Sequence, residues 1–168
     1  MSYVFDSSSL IYLGKIKILD RLKFLKSDKI IPLEVYKEVV EKGFERMEYE
    51  AKIIDELIKE RLFVIKKGKQ EQIEAFKSIS FLSKADKEIL AIAREIKAIA
   101  IIDETYANSI AETFGIKCHG SIYLILLMVK NKVFRKKEAI EYINRMIQLG
   151  FYFSTEKYRE VLAKINMM

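Results

Sequence analysis

Five consecutive apolar residues, Ala98 to Ile102, stand between Lys97 on one side and Asp103 on the other. A run this short and this uniformly apolar offers no polar face to water, which is how a strand of a parallel sheet reads when helices cover both its faces. Parallel strands need long crossover connections, usually helical, so a chain built around such a strand must alternate strands with helices.

The remaining pattern meets that requirement. Tyr3-Val4-Phe5 is a second short apolar run, again ending in a carboxylate, Asp6, and followed by Ser7-Ser8-Ser9 before Leu10 to Leu13. It reads as a strand and then a capped helix start. A basic helical stretch from about Lys15 to Leu25 leads to Ile30-Ile31 and to Pro32, the only proline, which suits the first turn of the next helix. Val35, Tyr36, Val39 and Val40 give that helix its apolar spacing up to Gly43, Ala51 to Leu62 forms another amphipathic helix, and Phe63-Val64-Ile65 reads as a strand before the turn at Lys67-Gly68. Leu82, Ala85, Ile89, Ile92, Ala93 and Ile96 place a helix over Lys84 to Ile96, opened by a capping box from Ser83 to Asp86. After Asp103 the spacing predicts a helix from Glu104 to Phe114, a short strand over Ile116 to His119, a break at Gly120, helices from Ser121 and Lys136, an extended Phe151-Tyr152-Phe153 and a last helix over 155–168. The expected fold is one α/β domain over 1–168 with a mostly parallel central sheet.

Composition narrows the chemistry. The chain has 168 residues, 51% hydrophobic and 32% charged, a globular balance. Its first residues, MSYVFDSSS, lack the basic and apolar regions of a secretory signal, so a cytoplasmic location is expected. The longest apolar run, Ile122 to Val129, falls far short of the roughly 20 residues a membrane helix needs. Cys118 is the only cysteine and His119 the only histidine, which leaves no zinc-site spacing, and any metal must be held by oxygens. A net charge of +6 favours a polyanionic partner. Lysines and arginines cluster at Lys15, Lys17, Arg21, Lys23, Lys26 and Lys29, and again at Lys130, Lys132, Arg135, Lys136 and Lys137. Ser121 to Val129 is apolar enough to suggest a self-pairing surface, so a homodimer is expected.

In an open parallel sheet ligands bind beyond the carboxyl ends of the strands, where the strand order reverses. If the strands ending in Asp6 and Asp103 are neighbours there, two carboxylates meet at one edge, and the remedies for their repulsion are protonation of one or a cation between them. Oxygen ligands point to Mg²⁺ or Mn²⁺. Each residue also has a plainer role available: Asp6 and Asp103 as helix caps or first-turn acids, Asp86 as the partner of Ser83. Glu38 lies off the face defined by Tyr36, Val39 and Val40, so periodicity alone places it in solvent. No GxGxxG or Walker pattern is present, and Asp6 lacks the second aspartate of a phosphoaspartyl transferase. Cys118 reads as a small core residue, and His119 as structural.

The segments VFDSSSLIYL (4–13), IPLEVYKEVVEKG (31–43), LSKADKEILAIA (82–93) and AIIDETYANSIAETFGIKCHGS (100–121) resemble, in order and spacing, the motifs of PIN-domain proteins. The resemblance covers most of 3–153 and is nearest to the prokaryotic branch of VapC-like toxins and their stand-alone relatives. It implies a three-layer α/β/α sandwich, and it implies catalytic roles for Asp6, Glu38, Asp86 and Asp103, with Ser7 or Ser8 in support and Glu104 as a further metal contact. The implied activity is Mg²⁺- or Mn²⁺-dependent hydrolysis of single-stranded RNA, by an enzyme restrained in some relatives by an antitoxin protein. Asn108 stands where many relatives carry an arginine, so a phosphate contact expected there is lost. The basic clusters become the expected RNA-binding surface, with Tyr3, Tyr12 and Tyr123 as stacking partners.

Overall fold

The computed structural model describes residues 1–168. Its strands are β1 (Ser2–Phe5), β2 (Asp28–Pro32), β3 (Val64–Lys66), β4 (Ile99–Ile101) and β5 (Cys118–His119). They form one sheet of order β3-β2-β1-β4-β5 in which every pairing is parallel. β1 to β3 step outward in one direction and β4 to β5 in the other, so the order reverses between β1 and β4. Val4, Phe5, Ala100 and Ile101 have no exposed surface, as expected for central strands covered on both faces.

Ten α-helices connect and cover the strands: α1 (Ser7–Lys15), α2 (Leu33–Tyr36), α3 (Lys42–Glu45), α4 (Tyr49–Lys59), α5 (Gln70–Glu74), α6 (Lys84–Glu95), α7 (Thr105–Thr113), α8 (Ser121–Lys130), α9 (Lys136–Gln148) and α10 (Thr155–Met167). α6 packs on β1, β2 and β4, while α1 packs on α4, and the result is a three-layer α/β/α sandwich. None of the helices is long and apolar enough to cross a membrane.

Three local departures from the sequence reading have physical causes. The basic helix expected through Leu25 stops at Lys15, because Lys17 takes φ +61°, and a 3₁₀ segment, Leu19–Phe24, follows. Ile30-Ile31 belongs to β2, and Pro32 ends that strand and precedes α2 instead of lying in its first turn. α2 and α3 are joined by a π-helical turn, Lys37–Glu41, whose wider winding rotates the side chains that follow α2 away from simple 3.6-residue spacing. Phe151 to Phe153 has no regular structure. The helix carrying Ser121 to Val129 is largely covered by the chain itself, with Ile122, Leu124, Ile125, Met128 and Val129 all buried, so its apolar character needs no second copy to explain it.

Glu88, on α6, is only 3% exposed and has both carboxylate oxygens in use. One accepts from the backbone N–H of Glu34 at 2.7 Å and the other from that of Gly68 at 2.8 Å. Pro32, at the N-cap of α2, makes no side-chain cap bond, so Glu88 acts as the acceptor for that helix end from a different element. It thereby fixes the start of the helical segment that carries Glu38. Glu88→Ala leaves two backbone donors without a partner, and we expect a loss of roughly 3 kcal/mol in urea unfolding; an unchanged midpoint would mean that water replaces both bonds at no cost.

Candidate active site

Asp6 follows β1 and is the N-cap of α1, where its Oδ1 accepts from the backbone N–H of Ser9 at 2.7 Å. Its Oδ2 accepts from Ser8 Oγ at 3.1 Å and from the backbone N–H of Asp103 at 3.2 Å. The last bond crosses from β1 to the end of β4, and it exists because those strands are neighbours at the reversal of strand order. Asp103 is held in the same manner by a different helix. Its Oδ1 accepts from the backbone N–H of Ser121, the first residue of α8, at 2.7 Å, and its Oδ2 accepts from Ser121 Oγ and, at 3.3 Å, from Ser9 Oγ. Gly120 permits this approach: a Cβ there would stand 2.8 Å from Asp103 Oδ1. Each carboxylate is therefore seated on a helix N-terminus, which is favourable for negative charge.

Burial opposes that charge. Asp6 is 5% exposed, and desolvation, with the Asp103 charge second, pushes its carboxyl from an ordinary 3.8 to about 7 despite the bonds from Ser9 and Asp103. Burial also raises Asp103, against the pull of its bonds from Ser121 and Ser9. The Cys118 thiol is pushed up to about 12, first by burial and then by Asp6 and Asp103, so it stays protonated and unreactive. Burial, and then Lys117, lower the His119 imidazole, whose ring stacks on Tyr123 at 4.1 Å.

The other acidic positions surround this pair at different removes. Glu38 lies in the π-helical turn, half-buried, and accepts a short bond from Ser7 Oγ in the first turn of α1. It is thus tied beside Asp6 through Ser7, contrary to the solvent-facing position that periodicity predicts. Asp86 makes the capping box of α6: its Oδ2 accepts from Ser83 N at 2.9 Å and from Ser83 Oγ at 2.8 Å. Tyr106, on α7, links Asp86 to the centre by donating its hydroxyl to the same Oδ2 at 3.3 Å. Burial, and then the charges of Asp86, Glu104 and Asp6, raise the Tyr106 phenol, which places it among the carboxylates. Glu104 is exposed at the N-cap of α7. Asn108 donates to the carbonyls of Ile102 and Glu104, fastening the start of α7.

No group of three or more acidic, histidine or cysteine side chains is assembled into a metal cage. What the centre offers is one buried carboxylate, Asp6, and one half-buried, Asp103, each raised by burial, with serine hydroxyls around them. This donor set fits Mg²⁺ or Mn²⁺, which are commonly held by one or two carboxylates while waters and substrate phosphates complete the shell.

Sequence reasoning passed over Ser9, Ser121, Tyr106 and Glu88. Ser9 had a usable signal, as the third serine after an N-cap aspartate; the others depend on contacts between distant segments. Two expected contacts with RNA are corrected. Tyr3 is only 4% exposed and cannot stack on a base, and Lys29 is buried, its Nζ donating to the carbonyls of Leu25 at 2.6 Å and Ser27 at 2.7 Å.

The Asp6 shift generates a test. An acid with a folded pKa above its unfolded one binds the extra proton in the folded state, so stability falls as pH rises from about 4 to about 7 and the penalty is complete above that. At about 1.4 kcal/mol per unit, the penalty is on the order of 4 kcal/mol. Asp6→Asn keeps an acceptor for Ser9 and removes the charge. In EDTA the variant should match the parent near pH 4 and melt at higher temperature by pH 8; parallel melting curves across that range would show that Asp6 is not strained by burial.

A family model described as a PIN domain matches residues 2–167. Among solved structures the chain is similar to "a domain of a functionally unknown protein" from Methanocaldococcus jannaschii DSM 2661, at 20% identity and a TM-score of 0.47, over 71% of this chain and 91% of that one. No curated protein matches it. With its motifs in order along the chain, its two aspartates at the reversal of a parallel sheet and a family match over nearly its whole length, the chain belongs to the PIN-domain family, whose fold is of nuclease type.

Proposed function

We propose that the protein is a metal-dependent endoribonuclease acting on single-stranded RNA. The observation that supports this most is the Asp6–Asp103 pair: two carboxylates held by six donors at the ligand-binding edge of the sheet, although burial and mutual repulsion oppose their ionisation. A fold has little use for such a pair unless a cation joins it.

Asp6 and Asp103 would hold the ion, Mg²⁺ or Mn²⁺, which supplies charge neutralisation and polarisation of a phosphate when bound. Ser9 and Ser121 orient the two carboxylates, since each serine donates to them from a helix start. Glu38, steadied by Ser7, stands beside the pair as an acceptor for a proton from water. Tyr106 donates to Asp86 and so bridges α7 to α6. Lys37, Lys42 and Lys84 lie around Glu34 at the start of α2; its carboxyl is held below the ordinary carboxylate range, first because Lys37 donates to it and then through the charges of Lys37, Lys84 and Lys42. The toxin role, with an antitoxin protein as partner, is a narrower form of the same proposal and rests on the resemblance to VapC-like proteins.

A second reading, a non-catalytic RNA- or protein-binding module, is favoured by one observation: Asp86 is engaged as a helix cap and no three acids form a cage. Cleavage separates the two. Purified protein should cut single-stranded RNA on addition of Mg²⁺ or Mn²⁺ and stop on addition of EDTA. Asp6, at about 7 without metal, must lose its proton to become a ligand, so the rate should rise with pH and the rise should move to lower pH as Mg²⁺ is increased. Asp6→Asn and Asp103→Asn should each lower it at least ~100-fold, as expected for a group acting on the developing charge. Cleavage that survives both EDTA and these substitutions would mean a contaminating nuclease and would remove the proposal.

A further inference from the structure

A groove of about 920 Å³ opens beside the acidic pair. Ser8 and Asp103 form one end of it, so it is continuous with the site. Its far wall comes from the segment between α9 and α10, which brings Phe151, Tyr152 and Phe153 opposite Tyr12 and Tyr123. Most of these rings are already engaged. Tyr12 meets Phe151 edge-on at 5.2 Å, Phe151 lies 6.0 Å from Phe153, and Tyr123 carries the His119 ring. Tyr152 alone has no aromatic neighbour and is 89% exposed. An aromatic ring left free in the wall of a groove has a face to offer a planar ligand.

The charges of the groove select among planar ligands. Glu104, Glu112 and Glu160 line it against a single cation, Lys157. A phosphodiester is repelled by that wall, whereas a neutral ring is not. With a net charge of +6 the chain as a whole discourages a polycation. The arrangement fits one nucleotide: the base in the groove, its phosphate at the acidic pair. Ionised carboxylates only accept, so a base edge rich in donors is preferred. Guanine presents N1–H and N2–H₂ side by side, while uracil presents one N–H between two carbonyls that the carboxylates repel.

We infer that the groove is a nucleobase subsite in which Tyr152 stacks on an unpaired base and Glu112 and Glu160 favour guanine over uracil. The place of the phosphate rests on the ribonuclease reading; the place of the base does not. The test is calorimetric binding of GMP and UMP to the full chain, in EDTA and in Mg²⁺, where the common phosphate cancels. GMP should bind about fivefold more tightly than UMP. Tyr152→Ala should weaken both roughly tenfold, the scale of one base–aromatic stack, and Tyr152→Phe should restore binding. Because Tyr152 is exposed, both variants fold. The Glu112→Gln, Glu160→Gln double variant should narrow the gap between the nucleotides. GMP binding indifferent to Tyr152→Ala overturns the subsite, as does a Tyr152-dependent affinity for an oligo-arginine peptide that exceeds that for either nucleotide. Tyr152-dependent GMP binding without metal-dependent RNA cleavage keeps the subsite and removes the ribonuclease reading, and the opposite pair of results does the reverse.

Discussion

Asp6 and Asp103 repel each other, are partly or wholly withdrawn from water, and are nonetheless held side by side, and much of the surrounding structure serves to keep them there. β1 and β4 must be neighbours for the Asp103 N–H to reach Asp6 at 3.2 Å, so the crossover from β3 has to return past β2 and β1 to the other side of the sheet. α1 and α8 must both begin at that edge, because the N–H groups of Ser9 and Ser121 are the strongest donors to the pair. Gly120 must lack a side chain. Backbone donors at helix starts are fixed partial charges that need no reorganisation, and they are the cheapest way for a fold to hold carboxylates it has desolvated.

How much of this was legible in the sequence follows from the range of each interaction. Strands ending in aspartate, the Ser83 capping box and the starts of α8 and α9 could be read directly, because their signals lie within a few residues: an apolar run, a hydroxyl three before an acid, a glycine before a serine. Periodicity alone places Glu38 in solvent because it assumes 3.6 residues per turn, whereas the segment winds as a π-helix; only the resemblance points to Glu38 as a site residue. Lys29 was placed in a basic cluster by its neighbours in sequence, but β2 turns it inward to the carbonyls at Leu25 and Ser27. Ser121 and Glu88 left no local trace, since their partners lie 18 and 54 residues away.

The same chain direction sorts the charges. α1 and α8 start at the acidic edge and run away from it, so Lys15 and Lys130 end their helices roughly 12–15 Å from that edge, and the exposed basic residues after them follow at the far pole. Cations at helix C-termini complement the dipole there just as carboxylates do at the N-termini. This accounts for where the two basic clusters lie without reference to RNA, whereas Lys37, ion-paired with Glu34, and Lys84 lie near the start of α2.

The four acidic positions divide into two kinds by what their oxygens already do. Both oxygens of Asp6 and both of Asp103 accept hydrogen bonds within the fold, so the inner pair is fixed in place and its remaining lone pairs point where the helix starts direct them. Asp86 receives all three of its bonds on Oδ2 and Glu38 receives its one on Oε2, which leaves Asp86 Oδ1 and Glu38 Oε1 without a protein donor. Those free oxygens sit on elements that the fold anchors separately, α6 through its capping box and the π-helical turn through Glu88 at the start of α2. On the proposed reading, a rigid inner pair with two further carboxylates, each with an oxygen still open, would separate two tasks that compete when one residue must do both: holding a charge in a fixed place, and exchanging protons or waters with what arrives.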